Sequence, residues 1–444
     1  MKRKVWLLVG LLAGLARGAT ADVSRTPPLG WNSYDAFGDS VTEAEIMANA
    51  NYLKEHLLAH GWNYVVVDFR WYDPQADSGD RKNRRGAALT TDEFGRLLPS
   101  PNRFPSATGG QGFKPLADRL HAMGLKFGIH VMRGIPQQAV KANTRIAGSD
   151  FTAAVAANTK STCNWCPDMF GVDASQPAGQ AWYDSLLRLY ASWGVDYIKV
   201  DDLSQPYAVG EIEAIRRAIE RCGRAIVFST SPGATPVAQA AHIKAHANLW
   251  RISSDFWDNW KSLNHNFDLL AAWQAHGGPG HWPDADMIPL GRLGKRCQDA
   301  HGEHATHFTR DEQRTLMSLW CLAPSPLMLG MNLPENDAST LALLTNDEVL
   351  AINQDELCRP AARVWQKNGL EVWARDLAGG AKAVGVFNRG AKPAEFSKFG
   401  EAGVTGAWRI RDLWQQKDIP VSSADFSASI PSHGARLLKL TPVK

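Results

Sequence analysis

Residues 197–202 read YIKVDD, a short run of mostly apolar residues that ends in two adjacent carboxylates. Other short apolar runs end in polar residues in the same way, and stretches with helical spacing separate them between residues 27 and 335. These runs are LGWNSY (29–34), YVVVDFRW (64–71), KFGIHVM (126–132), AIVFST (225–230), LWRISSD (249–255), HWPDADM (281–287) and PLMLGMN (326–332). Alternating strands and helices predict a parallel sheet, and eight such units predict a (β/α)8 TIM barrel.

Local signals place helices between these strands. Thr42 with Glu45, and Thr309 with Glu312, have the spacing of capping boxes, which mark helix starts. A doubly wound sheet is the alternative fold, but no glycine-rich phosphate loop follows an early strand. After Pro360 the runs LEVWARDL, AKAVGVFN, WRIRDLW and GARLLKLTPV are typical of antiparallel strands. We therefore predict a catalytic barrel over residues 22–358 and an antiparallel β domain over residues 359–444.

The composition is that of a soluble globular protein, with 44% hydrophobic and 21% charged residues. The formal net charge of +3 gives no electrostatic support for nucleic-acid binding. Residues 1–21 combine a basic start, an apolar stretch and an A-x-A site, so we predict a signal peptide cut after Ala21 and export to the periplasm or beyond. An uncleaved anchor is the alternative, and no later segment resembles a membrane span.

Two groups of potential metal ligands occur in the sequence. Cys163 and Cys166 form a C-x-x-C pair, for which a disulfide or free thiols are favoured over a metal site. His301, His304 and His307 are spaced three apart, but the surrounding residues favour a loop over a helix that would align them. We therefore expect neither a metal nor another cofactor to be needed for catalysis.

In a barrel enzyme the chemistry lies at the carboxyl ends of the strands. Because side chains alternate along a strand, Lys199 and Asp201 share one face of YIKVDD, and Ile198 and Val200 share the other. The apolar pair suits the layer between barrel and helices, so Lys199 and Asp201 should face the barrel mouth. An ammonium beside a carboxylate favours the ionised form, which a nucleophile needs.

The same alternation places Arg251, Ser253 and Asp255 on one face of LWRISSD. Pairs of a basic and an acidic residue often have a purely structural role, as ion pairs, and aspartates at strand ends often cap the next helix. Asp258 is a second candidate for the catalytic acid. However, one ionised and one protonated carboxyl group that face each other are the catalytic groups that cleave a glycosidic bond in glycosidases. The 17 tryptophans also fit a sugar ligand, although most tryptophans belong to a protein core.

The chain resembles the family 27 glycoside hydrolases, the α-galactosidase or melibiase group. The likeness includes TPPLGWNSYDAFG from Thr26, YIKVDD, WRISSDFWDNW, GHWPDADM, SPLMLGMNL and INQD from Ile352, in the family's order. It implies a barrel with a C-terminal β-sandwich and retaining exo-hydrolysis of terminal α-D-galactosyl residues. Asp201 matches the family's nucleophile and Asp255 its acid/base, so their carboxyl groups should lie roughly 5–5.5 Å apart.

The resemblance also implies a set of sugar-binding positions, some of which depart from the family. Trp31 matches a stacking tryptophan, and Phe69 replaces the second aspartate of a pair that begins with Asp68. Small residues at Ser231 and Ala234 resemble the α-N-acetylgalactosaminidase branch. The predicted substrate-binding residues are Trp31, Asp68, His130, Lys199, Ser231, Arg251 and Asp286.

Other functions remain open from the sequence. Within the family, α-N-acetylgalactosaminidase and β-L-arabinopyranosidase activities are alternatives to α-galactosidase activity. A non-catalytic carbohydrate-binding barrel, or a metal-dependent barrel enzyme that uses the clustered aspartates, are alternatives from other classes. Asp202 should point away from the mouth and serve as a cap or loop anchor.

Overall fold

The computed structural model describes residues 23–76, 88–397, 399–420 and 426–443. The predicted signal peptide, residues 1–21, lies outside the described residues. Across the described part of the chain, no helix has the length and apolar character needed to cross a membrane.

Eight parallel strands form one curled sheet in the order β7-β6-β5-β4-β3-β2-β1-β8. Ile288, just beyond β7, pairs in parallel with Leu329 of β8 and thereby joins the two ends of the sheet. The predicted barrel is confirmed, and each of its strands lies within one of the runs identified from the sequence. The strands are β1 (Leu29–Asn32), β2 (Tyr64–Val67), β3 (Lys126–Met132), β4 (Tyr197–Asp201), β5 (Val227–Thr230), β6 (Leu249–Arg251), β7 (Trp282–Asp284) and β8 (Leu327–Leu329).

Side-chain alternation sorts the strand residues into two apolar layers. Tyr64, Tyr197 and Trp282 belong to a cluster inside the barrel, whereas Ile198 and Val200 belong to the larger core between barrel and helices. A Cβ at Gly30 would lie 2.5 Å from the Tyr64 Cβ, so only glycine fits at that interior position. Both faces of the sheet are therefore buried, which explains why its strands are rich in apolar and β-branched residues.

The helices surround the barrel, and both predicted capping boxes are present at Thr42 and Thr309. The helices are α1 (Tyr34–Phe37), α2 (Glu43–Tyr52), α3 (Lys114–Ala122), α4 (Gln137–Ala142), α5 (Ala153–Ala156), α6 (Pro177–Ser192), α7 (Val209–Arg221), α8 (Ala240–His246), α9 (Trp260–Trp273), α10 (Arg310–Leu322), α11 (Ala338–Leu344) and α12 (Asp347–Asn353). Short strands also occur in two of the connections. These are Ile135–Pro136, Ala157–Thr162 and Met169–Val172 after β3, and Arg292–Leu293 with His304–Ala305 after β7.

The C-terminal part forms antiparallel β structure, as predicted. A six-stranded sheet in the order β9-β10-β11-β16-β13-β14 is accompanied by the two-stranded pair β12 and β15. Phe396, Phe399 and Phe426 pack together in the apolar core of this region. Its strands are β9 (Ala362–Lys367), β10 (Leu370–Asp376), β11 (Lys382–Asn388), β12 (Ala394–Phe396), β13 (Trp408–Asp412), β14 (Lys417–Ile419), β15 (Ala428–Ile430) and β16 (Ala435–Pro442).

Candidate active site

A pocket of about 510 Å³ opens at the carboxyl ends of the barrel strands. Its wall combines carboxylates, two cations and a set of aromatic side chains, which suits a ligand with hydroxyl groups and apolar faces. The lining residues are Tyr34, Asp35, Asp68, Phe69, Trp165, Lys199, Asp201, Pro232, Arg251, Asp255, Phe256, Trp257, Asp286, Met287, Asp299 and His301.

Strand β4 contributes Lys199 and Asp201 to this pocket, as the alternation predicts. Lys199 Nζ donates a hydrogen bond to Asp68 Oδ2 at 3.0 Å, and Asn32 Nδ2 donates to the same oxygen at 2.7 Å. The amide of Phe69 donates to Asp68 Oδ1 at 2.8 Å. Asp68 is therefore held in one orientation by three donors and presents a fixed carboxylate to the pocket.

The electrostatic surroundings keep Asp201 ionised. Burial acts to raise the pKa of Asp201, but His130 and then Lys199 outweigh it and lower that pKa to about 2. Burial likewise opposes ionisation of Asp68, whose pKa is nevertheless lowered by Lys199 and His130. Burial acts to lower the pKa of Lys199, yet Asp68 and Asp201 raise it. At neutral pH the pocket floor thus holds a cation between two carboxylates.

His130 lies below Asp201 instead of in the pocket wall. Its side chain is completely buried, and its Nε2 atom lies 2.8 Å from Asp201 Oδ2. His130 is therefore not among the residues that line the pocket. Its position instead allows it to orient and stabilise the Asp201 carboxylate.

Arg251 at the end of β6 connects the second group of carboxylates. Its Nη2 atom lies 2.7 Å from Asp286 Oδ2 and donates to Asp255 Oδ1 at 3.2 Å. The amide of Phe256 donates to Asp286 Oδ2 at 2.8 Å, which ties the backbone beside Asp255 to the barrel. The Asp255 side chain is 59% exposed. Asp255 thus stands at the pocket mouth, where a proton can be exchanged with water.

The backbone of Asp286 adopts a φ of 87°, which is unfavourable for an aspartate. Its amide donates to Asp284 Oδ1 at 2.9 Å, and its carbonyl accepts from Trp320 Nε1 at 3.0 Å. Burial raises the pKa of Asp286 to about 6, against the opposing effect of Arg251. These bonds hold a strained residue in place, as is common where a side chain must be aimed at a ligand.

Two further predicted sugar-contact residues, Trp31 and Ser231, are not among the residues that line the pocket. Trp31 is fully buried between barrel and helices, where its Nε1 atom donates to the Met331 carbonyl at 2.6 Å. Its ring cannot stack on a ligand; Tyr34 lines the pocket instead. Ser231 is also fully buried and accepts a hydrogen bond from Arg251 at 3.3 Å in a small cavity beneath the pocket.

An apolar wall stands where the family would place its second aspartate. The Phe69 ring centroid lies 5.6 Å from that of Trp165 and 5.2 Å from that of His130. Trp165 is 40% exposed and lies in the connection after β3, between the short strands Ala157–Thr162 and Met169–Val172. The sequence shows Phe69 as a departure from the family, but Trp165 and Trp257 lie in loops, where no alternation indicates the direction of a side chain.

Asp35 is a further pocket carboxyl that the sequence analysis missed. Burial raises its pKa well above the usual value, and the nearby Asp286 adds to that effect. Its Oδ2 atom is buried and has no hydrogen-bond partner in the part of the chain that the structure describes, although the residue also lines the pocket. The raised pKa favours the protonated form of Asp35, whose hydroxyl can donate a hydrogen bond.

Asp202 and Asp258, which lie close in sequence to Asp201 and Asp255, have structural partners. Asp202 accepts hydrogen bonds from Arg133 at 2.6 and 3.0 Å, so it anchors a loop, as predicted. Asp258 is buried, and its Oδ2 atom lies 3.0 Å from His304 Nε2 and 3.1 Å from His307 Nδ1. Asp258 does not line the pocket, which leaves Asp255 as the better placed acid.

Cys163 and Cys166 are both free thiols. Burial raises the pKa of Cys163 to about 12 and also raises the pKa of Cys166. Both groups are therefore protonated at neutral pH, a state in which a thiol neither binds a metal well nor attacks a substrate.

Replacing Lys199 with methionine tests the charge balance of the pocket floor. The substitution leaves Asp68 buried without its ammonium partner, so we expect the free energy of unfolding to fall by about 3–5 kcal/mol. Loss of the cation should also raise the pKa of Asp201 and move the acidic limb of kcat/KM to higher pH. Urea unfolding and a pH–rate profile measure the two effects.

Lys199→Arg is the matched control, because it keeps the charge. A Lys199→Met variant with both the wild-type stability and the wild-type acidic limb would contradict this account of the pocket floor.

Comparison with known proteins gives two family matches. An α-galactosidase A family model matches residues 171–355, and a model of the α-galactosidase C-terminal β-sandwich domain matches residues 367–440. The α-galactosidase of Oryza sativa subsp. japonica is 30% identical over 429 residues, which cover 95% of this chain and 86% of the relative. α-Galactosidase A of Homo sapiens is 28% identical over 402 residues, which cover 84% and 76% of the two chains.

Two similar solved structures have different named activities. A family 27 β-L-arabinopyranosidase from Geobacillus stearothermophilus, in complex with arabinose, has a TM-score of 0.92 and 46% identity, and covers 96% of this chain and 99% of that one. A protein from Bacillus halodurans C-125, whose name assigns it to the α-N-acetylgalactosaminidases, has a TM-score of 0.83 and 43% identity, with 94% and 98% coverage.

Proposed function

Because the chain belongs to the α-galactosidase family, family 27 of the glycoside hydrolases, we propose that it is a retaining exo-glycosidase specific for terminal sugars of galacto configuration. The observation that carries this proposal is the pairing of two different carboxyl groups across one pocket. Asp201 is buried, ionised and held by cations, whereas Asp255 stands at the solvent-facing mouth. These are the environments that a nucleophile and an acid/base catalyst need.

The first step forms a covalent sugar–enzyme ester. The Asp201 carboxylate attacks the anomeric carbon while the Asp255 carboxyl gives its proton to the glycosidic oxygen, and the aglycone leaves as an alcohol. Lys199 and His130 stabilise Asp201 before attack, and Arg251 fixes the position of Asp255.

The second step releases the sugar. The Asp255 carboxylate removes a proton from a water molecule, whose oxygen attacks the anomeric carbon and frees Asp201. Two inversions at the same carbon give a product with the configuration of the substrate. Neither step requires a metal ion or an organic cofactor.

Phe69 supports a preference among galacto-configured sugars. β-L-arabinopyranose has the ring configuration of α-D-galactose but carries hydrogen where galactose carries the C6 hydroxymethyl group. An aspartate can accept a hydrogen bond from that group, whereas the Phe69 and Trp165 wall cannot. We therefore propose that β-L-arabinopyranosides are preferred over α-D-galactosides, and the similarity to an arabinopyranosidase supports this preference.

Aryl glycosides test the proposed preference. We expect kcat/KM to be highest for the aryl β-L-arabinopyranoside, and about 10- to 100-fold lower for the α-D-galactoside, whose hydroxymethyl group would be buried without a partner. Replacing Phe69 with aspartate should move the ratio toward the galactoside by at least about tenfold, because the new carboxylate accepts the hydroxyl hydrogen bond.

Phe69→Leu is the control, since it keeps the wall apolar and should keep the preference. An α-N-acetylgalactosaminide as the best substrate would contradict the proposed glycone. If none of these glycosides is hydrolysed, a non-catalytic sugar-binding barrel would be favoured instead.

A further inference from the structure

A group of three potential metal ligands lies on the outer helices, away from the catalytic pocket. His242 and His246 occupy positions four apart on α8, and Glu213 is on the neighbouring α7. One ligand atom from each residue lies within 4.8 Å of the others. None of the three residues lines the pocket. Residues four apart lie on the same face of a helix, so the two imidazoles can reach a common ligand.

His246 has a ring nitrogen that is available as a ligand. Its Nδ1 atom lies 2.8 Å from the carbonyl oxygen of His242, which only accepts hydrogen bonds, so Nδ1 carries the proton. The neutral ring then has its lone pair on Nε2. Nε2 has no hydrogen-bond partner among the described residues. A histidine whose other nitrogen donates to a backbone carbonyl is a typical arrangement around a protein-bound metal.

His242 has a comparable outer partner and a facing carboxylate. Its Nδ1 atom lies 2.7 Å from the Tyr207 hydroxyl, which can accept the Nδ1 proton. Its Nε2 atom lies 3.4 Å from Glu213 Oε1, at the long end of hydrogen-bond distances. The two rings stack with their centroids 4.4 Å apart. The distance between Nε2 and Oε1 is close to the separation of two ligands around a tetrahedral ion with bonds of about 2.0–2.1 Å.

A neighbouring cation orients the Glu213 carboxylate. Arg217 Nη1 donates to Glu213 Oε2 at 3.3 Å and leaves Oε1 toward the histidines.

We propose that Glu213, His242 and His246 bind one divalent transition-metal ion, of which Zn²⁺ best matches two neutral imidazoles and a carboxylate. The ion links α7, which follows the strand that carries Asp201, to α8, which follows β5. Water completes the coordination, because the structure offers three protein ligands. The site stabilises the fold and takes no part in the hydrolysis.

The second histidine–carboxylate group in the described residues is less suitable. Asp258 Oδ2 already accepts a hydrogen bond from the His307 amide at 2.7 Å. It also lies 3.0 and 3.1 Å from the two imidazoles, so this carboxylate oxygen already has three nitrogen atoms as close neighbours. This group therefore serves as an internal comparison for the experiment.

The test is isothermal titration of Zn²⁺ into the full chain, without an affinity tag and after removal of metals by a chelator. We expect one Zn²⁺ per chain, and a loss of at least about 100-fold in affinity in His246→Ala. Tyr207→Phe should weaken binding about 10- to 100-fold, because Tyr207 fixes the tautomer of His242. Zn²⁺ at 100 times its Kd should raise Tm by about 2–5 °C in the wild type and not in His246→Ala.

His307→Ala is the matched control and should bind Zn²⁺ as the wild type does. Unchanged Zn²⁺ affinity in His246→Ala overturns the proposal, as does loss of binding in His307→Ala or no binding by the wild-type chain. Wild-type turnover by His246→Ala, measured on the same aryl glycoside, verifies that the variant is folded.

Discussion

Replacing Asp201 with alanine should reduce kcat on an aryl glycoside by at least about 10⁴-fold, because the variant lacks the group that forms the covalent intermediate. The fold should survive, because Lys199 keeps its hydrogen bond to the Asp68 carboxylate in the variant. Azide should restore part of the activity by attacking the anomeric carbon from the vacated side. The product is then a glycosyl azide with configuration opposite to that of the substrate.

Asp202→Asn is the neighbouring control. Asp202 is paired with Arg133 and does not line the pocket, so this substitution should lower the free energy of unfolding but keep most of the turnover. A larger loss of kcat in Asp202→Asn than in Asp201→Ala would reverse the assignment of the two aspartates.

Replacing Asp255 with alanine should have an effect that depends on the leaving group. A nitrophenolate departs with little protonation, whereas an alkyl or sugar alkoxide needs an acid, so kcat/KM should fall about 10²- to 10⁴-fold more for an alkyl glycoside. Azide should restore the second step, because this anion, unlike water, attacks without the help of a base. The expected product is a glycosyl azide with the configuration of the substrate.

Asp258→Asn is the control for this second prediction, because it alters the other carboxyl group of the same segment. Asp258 is buried against His304 and His307, so its substitution should not discriminate between the two leaving groups. Equal losses on aryl and alkyl glycosides in Asp255→Ala would remove Asp255 from the role of acid.

The sequence predicted those features that depend on the periodicity of strands. The eight apolar runs became the barrel strands, and alternation in YIKVDD correctly placed Lys199 and Asp201 at the mouth. The same rule applied to LGWN indicates that the Trp31 side chain does not face the barrel mouth. Asn32 faces the barrel interior, where it contacts Asp68, so Trp31 must face the helices.

Features that depend on contacts between distant segments could not be predicted in this way. Because β6 ends at Arg251, strand alternation does not determine the direction of the Asp255 side chain. The hydrogen bond from Arg251 determines it instead. The resemblance to the family predicts His130 at the sugar, but its ring packs beneath Asp201. Trp165 reaches the pocket through the long connection that follows β3.

The account depends most on Asp201 as the residue that becomes glycosylated. The direct test is mass spectrometry of the wild-type enzyme after reaction with a 2-deoxy-2-fluoro glycosyl fluoride of the preferred glycone, which slows hydrolysis of the intermediate. The account predicts one added fluorosugar per chain, located by peptide fragmentation on Asp201. Labelling at Asp255 or Asp202, or an unlabelled enzyme that inverts the anomeric configuration of its substrate, would contradict it.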